Sequence, residues 1–305
     1  MINIVSVDKT RPLLYVCLWI FLSALVILYN KYILSVYNFN FPILLTMIHM
    51  SVSTILATIA IKSNLVDSIE LDSHNYIYGV LPIALLFSGT LSLGNSAYQY
   101  LSVSFIQMLK ALSPVTVYLI GCTLKTETFH STLLVVVCIV SMGICIASYG
   151  ELALNYIGLT LQLSSVLVES TRITLIQILL QSRGLKLNSI TTLYYVAPAS
   201  LICLTIPFCI FELPNVLVTD MTLFNPLILL TNALAAFALN LSVFLLIGQT
   251  SALTMNIAGV VKDWMLIALS VVLFGSPVST LNLVGYSVAF IGVCLYNYHK
   301  TKFIN

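Results

Sequence analysis

The sequence predicts an all-α membrane protein that crosses the bilayer many times. Of its 305 residues, 60% are hydrophobic and only 7% are charged, and the mean hydropathy is +1.06. A typical soluble domain has about 25% charged residues. The apolar residues are gathered into runs close to the roughly 20 residues that a helix needs to cross a bilayer. We expect helices, because no run shows the alternating pattern of a membrane β-barrel.

Ten such runs follow one another with short connections. Residues 1–11 form a short polar head, so we expect neither a transit peptide nor a cleaved signal. Ten spans in equal halves predict two inverted five-helix repeats, residues 1–148 and 149–305. The predicted spans cover residues 12–34, 42–62, 76–98, 103–122, 131–148, 155–181, 190–211, 225–247, 251–274 and 281–298.

The positions of lysine and arginine predict that both termini are cytoplasmic, because cytoplasmic loops are enriched in these residues. In that orientation only Lys31 lies on the opposite side, and Lys110, Arg172 and Lys262 are embedded in spans. The cytoplasmic cations are Lys9, Arg11, Lys62, Lys125, Arg183, Lys186, Lys300 and Lys302.

Several function classes are disfavoured by what the sequence lacks. The net charge of +2 comes without any basic cluster that could follow a nucleic acid backbone. The seven cysteines form no CxxC pair, so we expect no metal site and no cofactor. Embedded carboxylates are limited to Glu169 and Asp263, and neither lies in a hydrolase motif, so we do not expect an enzyme. Ten spans with minimal loops also argue against a channel or a receptor.

The first candidate site lies in the middle of the ninth span, at Lys262 and Asp263. A charge at the centre of a membrane helix costs roughly 2.5–3.5 kcal/mol, so both side chains are expected to line an internal cavity. Neighbouring residues on a helix point about 100° apart, so we predict that the two charges lie on separate faces. Lys262 shares its face with Gly259, which leaves room for a ligand. Asp263 either tunes the site or only balances a cation such as Lys110.

The fourth and sixth spans carry the other embedded charges. Lys110 shares a helix face with Gln107, and no acidic residue lies on its own helix, which favours a ligand-binding role. Glu169 and Arg172 lie three residues apart on the polar face of the sixth span. We interpret them as a structural ion pair.

Aromatic and amide side chains complete the predicted substrate site. Tyr194 and Tyr195 in the seventh span either stack on a nucleobase or belong to the aromatic belt at a membrane surface. Asn95 in the third span and Asn240 in the eighth each precede a span with a central lysine, which gives a weak internal repeat. We assign both asparagines to the substrate site.

Four stretches of the chain resemble one transporter family. They are Asn30-Lys31, SFIQMLKALSP at residues 104–114, LYYVAP at 193–198, and SALT at 251–254 leading to VVKDW at 260–264. These motifs are similar to the triose-phosphate/nucleotide-sugar transporter family of the drug/metabolite transporter superfamily, over nearly the whole chain. The Lys-Asp pair resembles a plant-type branch whose members are described as probable sugar phosphate/phosphate translocators.

The resemblance implies a ten-helix antiporter that works by alternating access. It also implies that Lys110 and Lys262 hold the phosphate, as the matching lysines do in plastid members of the family. This chain departs from those members at three positions, where Asp263 replaces an arginine, Gln107 a histidine and Leu239 a tyrosine.

The negative charge gained at Asp263 weakens the case for a triose phosphate as substrate. We therefore expect an antiporter that exchanges a nucleotide sugar for a nucleoside monophosphate in the Golgi or endoplasmic reticulum membrane. A sugar-phosphate/phosphate antiporter is the alternative, and a non-transporting membrane scaffold is the competing class. The plastid envelope is a less favoured location. The expected partners are a small phosphorylated solute and the bilayer, with a homodimer left open.

Overall fold

The computed structural model describes residues 10–66, 72–125, 128–151, 154–183, 189–247 and 252–304. This part of the chain contains helices and no strands. Lys9, Lys186 and Ser251, which the sequence analysis uses, lie outside it.

Each of the ten predicted spans coincides with helix. The helices are α1 (Thr10–Lys31), α2 (Pro42–Lys62), α3 (Leu81–Tyr100), α4a (Val103–Lys110), α4b (Ser113–Thr123), α5 (Ser131–Tyr149), α6 (Tyr156–Arg183), α7 (Ser189–Pro207), α8 (Pro226–Ile247), α9 (Ala252–Phe274) and α10 (Thr280–Ile304). π-Helical turns extend three of them, at Tyr32–Val36 after α1, Tyr76–Val80 before α3 and Phe208–Glu212 after α7. Short helices lie at Ser73–Asn75 and Leu213–Val218, and a 3₁₀ turn at Met221–Leu223.

Six helical segments of the described chain are long and apolar enough to span a membrane. Pro226–Ser242 and Thr280–Tyr296 are shorter apolar helices. The chain is therefore an all-helical, polytopic membrane protein, as the composition predicts. The six segments are Leu14–Val36, Pro42–Lys62, Tyr76–Tyr100, Val103–Thr123, Ser131–Tyr149 and Ile190–Val218.

The helices pack in pairs that repeat between the two halves of the chain. Helix α3 packs on α6 and α7, and the helix five positions later, α8, packs on α1 and α2 in the same way. Likewise α4b packs on α6, and α9 packs on α1. The remaining extensive contacts join corresponding helices, namely α2 with α7, α4a with α9 and α5 with α10. Exchanging the halves leaves this set of contacts unchanged.

Helices α5 and α10 touch backbone to backbone along one line, which we call the α5–α10 seam. A Cβ atom added at Gly143 would lie 2.7 Å from the carbonyl oxygen of Gly285, and one added at Gly285 would lie 2.6 Å from the carbonyl oxygen of Gly143. Ala147 and Ala289, each four residues further along, face the opposite glycine. Small residues four apart are typical of closely packed membrane helices. The seam therefore holds the fifth helix of each half together.

Candidate functional site

The fourth span is broken beside Lys110, although the sequence analysis treats it as one helix. Pro114 has no N–H to donate to the carbonyl of Lys110, and its ring is incompatible with a regular turn there. The chain passes through a turn at Ala111 and Leu112, whose amides donate to carbonyls three residues back, at 3.1 Å each. Helix α4a therefore ends at Lys110, and α4b begins at Ser113.

The side chain of Lys110 is accessible, although it lies close to charges on two other helices. Residues 103–109 are all buried, whereas the Lys110 side chain is exposed. The charges of Asp263 on α9 and Glu169 on α6 both act on its ammonium group, so it lies between these helices. Within the described part of the chain, no residue forms a hydrogen bond or an ion pair with this side chain. Lys110 is therefore a cation available to a ligand.

Lys262, in contrast, already has a partner. Its Nζ lies 3.2 Å from Oδ1 of Asp263 and 5.5 Å from the ring centre of Trp19 on α1. The expectation that the two charges act apart does not hold, because they form an ion pair although the residues leave the helix in different directions. A lysine side chain is long enough to bend back to a neighbour that leaves the helix in another direction. Gly259, one turn earlier, also faces Trp19, as a Cβ added there would lie 3.9 Å from that ring.

A second ion pair lies on α6. Nε of Arg172 donates to Oε2 of Glu169 at 3.0 Å, and Nη2 donates to the other carboxylate oxygen. The Arg172 guanidinium also lies 5.1 Å from the ring centre of Phe87 on α3. The predicted pair forms within one helix and contacts a second, while its purely structural role stays a prediction.

Gln107, one helical turn before Lys110, is fully buried. Among described residues, neither its amide nitrogen nor its amide oxygen makes a hydrogen bond of regular geometry. Its amide lies near the hydroxyl of Tyr98, which is also close enough to Lys262 and Asp263 to sense their charges. Buried polar groups normally have partners, so Tyr98 is the nearest candidate partner of this amide, and a role of Gln107 in substrate binding stays a prediction.

Asn95 belongs to a chain of buried hydrogen bonds across four helices, which we call the buried amide network. His49 donates to Oδ1 of Asn232, and Nδ2 of Asn232 donates to Asn30 at 2.9 Å. Asn30 donates to Asn95 at 3.2 Å, and Asn95 donates to Thr46 at 2.9 Å. These residues join α1, α2, α3 and α8. Both amide atoms of Asn95 are engaged here, and its predicted role in substrate binding stays a prediction.

Tyr194 and Tyr195 lie in a different part of the bundle. With Thr54, Thr58 and Tyr76 they line an open cavity of about 350 Å³, at the C-terminal end of α2 and the N-terminal end of α7. Neither Lys110 nor Lys262 is among the residues that line this cavity. The ring centres of Tyr194 and Tyr195 are 5.0 Å apart, and the ring of Tyr76 packs edge to face on that of Tyr195 with 6.2 Å between their centres.

Asn240 makes only a local contact within the described structure. Its Nδ2 donates to the carbonyl of Ala236 on its own helix at 3.1 Å. The structure thus places Asn95 and Asn240 in different surroundings, although the sequence analysis treats them as equivalent. The role of Asn240 in the substrate site stays a prediction.

Two charged side chains to which the sequence analysis assigns no role in the fold hold helix ends. Nζ of Lys31 donates to the carbonyls of Tyr98, at 2.6 Å, and Leu101, at 2.9 Å, where α3 ends. The Glu212 carboxylate accepts the amides of Ile43 and Leu44 at the start of α2, at 2.7 and 2.8 Å. Cations favour helix C-termini and anions favour N-termini, but sequence alone does not say which helix end lies nearby.

One acid outside the spans is also buried. Glu151 follows α5, and Asn282 on α10 donates to it at 3.4 Å. Burial raises the pKa of Glu151 to about 7, although the hydrogen bond from Asn282 acts in the opposite direction. The neutral form of this carboxyl is therefore the one that the fold favours.

A polytopic helical bundle with a helix broken beside an embedded lysine is typical of a membrane transporter. The chain belongs to the Triose-phosphate Transporter family, whose model matches residues 10–297. The resemblance drawn from the motifs is thereby confirmed. This family consists of transporters.

The chain is similar to several proteins of Arabidopsis thaliana. One probable sugar phosphate/phosphate translocator is 54% identical over 94% of this chain and 83% of its own length, and another is 44% identical over 97% and 82%. UDP-uronic acid transporter 1 is 34% identical over 91% and 92%. A protein of known crystal structure matches with a TM-score of 0.53 at 13% identity over 92% of this chain and 98% of that one, which shows the fold alone.

These relatives support phosphate-linked solute transport across a membrane. They favour the alternative expectation, a sugar-phosphate/phosphate antiporter, over the nucleotide-sugar antiporter that the sequence analysis ranks first. The expectation of a Golgi membrane has no support from these names.

Proposed function

We propose that this protein exchanges a sugar phosphate for inorganic phosphate across a membrane. The observation that carries the proposal is Lys110, a cation without an ion-pair partner among the described residues, at the break between α4a and α4b. Charged groups inside a membrane are costly unless they serve a ligand or a partner. The similarity to probable sugar phosphate/phosphate translocators supports the same substrate class.

The proposed architecture is ten spans in two inverted repeats, residues 1–148 and 149–305, with both termini cytoplasmic. The exchange symmetry of the helix contacts supports the two repeats. Discontinuous helices at the interface between the repeats, near the middle of the bilayer, are a common way to build a transporter site. Location in the Golgi or endoplasmic reticulum, and a homodimer, stay predictions.

Alternating access is supported by a difference between the two ends of the bundle. At one end, the buried amide network and the Lys31 and Glu212 contacts tie α1, α2, α3, α7 and α8 together. At the other end, the cavity beside Tyr194 and Tyr195 is open. In the proposed topology the open end is cytoplasmic, so this is an inward-open state.

The test is exchange by the purified protein in liposomes. Liposomes loaded with inorganic phosphate should take up labelled phosphate or sugar phosphate, and empty liposomes should not. Lys110→Ala should lose at least tenfold in apparent affinity, because a hydrogen bond to a charged group contributes about 1.5–3 kcal/mol. Lys62→Ala is the matched control, since this exposed lysine lies at the end of α2. Unchanged exchange in well-folded Lys110→Ala protein would refute the proposed site.

A second candidate, nucleotide-sugar exchange, is favoured by the aromatic cavity. Tyr194 and Tyr195 offer flat apolar faces that suit a base or a sugar ring. The similarity to UDP-uronic acid transporter 1 is consistent with this substrate class. Faster exchange of a nucleotide sugar than of any sugar phosphate in the same liposomes would make it the main function, and no exchange of any phosphate compound would point to the scaffold.

A further inference from the structure

The embedded charges of the described site are nearly balanced. Lys262 is paired with Asp263 at 3.2 Å, and Arg172 is paired with Glu169. Each pair is neutral as a whole. Lys110 lies within electrostatic range of the Asp263 and Glu169 carboxylates but forms an ion pair with neither. The described site therefore carries three positive and two negative charges, which leaves one positive charge.

The other titratable groups that face these charges do not alter the balance. Tyr98 on α3 senses Lys262 and Asp263, and Tyr286 on α10 senses Asp263. Tyrosine hydroxyls are uncharged at neutral pH. From α1, the group beside Lys262 is the Trp19 ring, which does not titrate.

We propose that this site selects substrate phosphates that carry a single negative charge, and that Asp263 sets this preference by neutralising Lys262. The inference rests on the proposed function and specifies the charge state of its substrate. A monoanion beside Lys110 makes the loaded site neutral. A dianion leaves one uncompensated negative charge in the bundle, and uncompensated buried charge is strongly unfavourable.

The preference follows from the geometry around Lys262. Its ammonium is held by Asp263 on one side and lies near the Trp19 ring on the other. A phosphate that approaches Lys262 therefore also meets the Asp263 carboxylate. Repulsion from that carboxylate grows with each negative charge on the phosphate. Sugar phosphates should accordingly enter with one acidic proton still attached, and inorganic phosphate with two.

The experiment compares two probes whose charges respond differently to pH. Methyl phosphate changes from one to two negative charges with a pKa near 6, the value for phosphate monoesters. Dimethyl phosphate has no second acidic proton and keeps a single charge. Binding of each to the purified full-length protein is measured by calorimetry between pH 6 and pH 8. The apparent affinity for methyl phosphate should fall about 50-fold, because its monoanion falls from one half to about one hundredth of the total.

Dimethyl phosphate should bind with an affinity that does not change over this range. If methyl phosphate binds equally well or better at pH 8, the proposal is wrong but the transport function stands. A parallel loss of both probes would also overturn it, because the protein and not the ligand would then be titrating. No binding of either probe at any pH would refute the proposed function itself.

Two variants test the charge balance directly. Asp263→Asn removes a negative charge and should abolish the loss of methyl phosphate binding between pH 6 and pH 8. Glu169→Gln, on a different helix, adds the same net charge and should have the same effect if the balance of the whole site matters. A variant of either kind that binds normally at pH 6 but keeps the 50-fold loss contradicts the proposal. The wild-type pH profile decides the question even if both variants fail to fold.

Discussion

Replacing Gly143 by alanine is expected to destabilise the protein by forcing open the α5–α10 seam. The added Cβ would lie 2.7 Å from the carbonyl oxygen of Gly285 and 2.8 Å from Cα of Ala289. These are backbone atoms of the opposite helix, so no side chain can move aside to relieve the contact. Ordinary van der Waals contact starts at 3.4 Å. The distance to the Gly285 oxygen must therefore grow by about 0.7 Å, which is the difference between 2.7 and 3.4 Å.

The magnitude combines two opposing effects. Overpacking of a closely packed interface costs about 1–3 kcal/mol. Alanine is the better helix former by up to about 1 kcal/mol, which offsets part of that cost. We expect a net loss of up to about 2 kcal/mol, seen as a decrease of as much as several degrees in the thermal unfolding temperature.

The assay is thermal unfolding of purified variants in one detergent. Gly79→Ala makes the same chemical change where nothing lies within 4 Å of the new Cβ, and it should be neutral or stabilising. The double variant Gly143→Ala, Gly285→Ala should lose less than the sum of the two single changes, because one separation of the helices relieves both contacts. Equal stability of Gly143→Ala and Gly79→Ala, or full additivity in the double variant, would show that the helices do not pack this closely.

Two further predictions concern buried polar groups. Because the pKa of Glu151 is raised from 4.5 to about 7, its contribution to stability is fully present below about pH 4.5 and is lost as the pH rises to about 7. Glu151→Gln should flatten this part of the profile of unfolding free energy against pH by up to about 3 kcal/mol. An unchanged profile in this variant would contradict the prediction. Asn232→Leu leaves His49 and Asn30 without their partner and should reduce the free energy of unfolding by about 1–3 kcal/mol. Asn240→Leu on the same helix loses one local hydrogen bond and should reduce it less. Equal losses of thermal stability in the two variants would count against the buried amide network.

The positions of the helices follow from the sequence because apolar run length is a local property. Every predicted span coincides with helix, as Pro42–Lys62 illustrates, which matches the prediction at both ends. The break in the fourth span could also have been predicted from Pro114, since proline removes an amide donor wherever it occurs. The two glycine patterns, Gly143 with Ala147 and Gly285 with Ala289, are visible in the sequence too, although their mutual contact is not.

The arrangement of charges could not be predicted in the same way. Helix geometry separates the backbone directions of Lys262 and Asp263, but the long lysine side chain decides where the ammonium lies. The position of Lys31 at the end of α1 gives no sign that it caps α3, because that contact joins residues about 70 positions apart in the chain. Such contacts depend on how the helices pack, and residue spacing contains no information about that.

The buried amide network has a consequence for how its end of the bundle opens. Asn30, Asn95 and Asn232 each donate through one amide atom and accept through the other. Separating α8 from α1 would leave the amide donor of Asn232 and the amide acceptor of Asn30 without partners at the same place. Water is the molecule that can form hydrogen bonds with both at once. In the proposed alternating-access cycle, this end therefore cannot part while dry, and opening must take water into the protein. The rate of the transition should then decrease when osmolytes lower the activity of water.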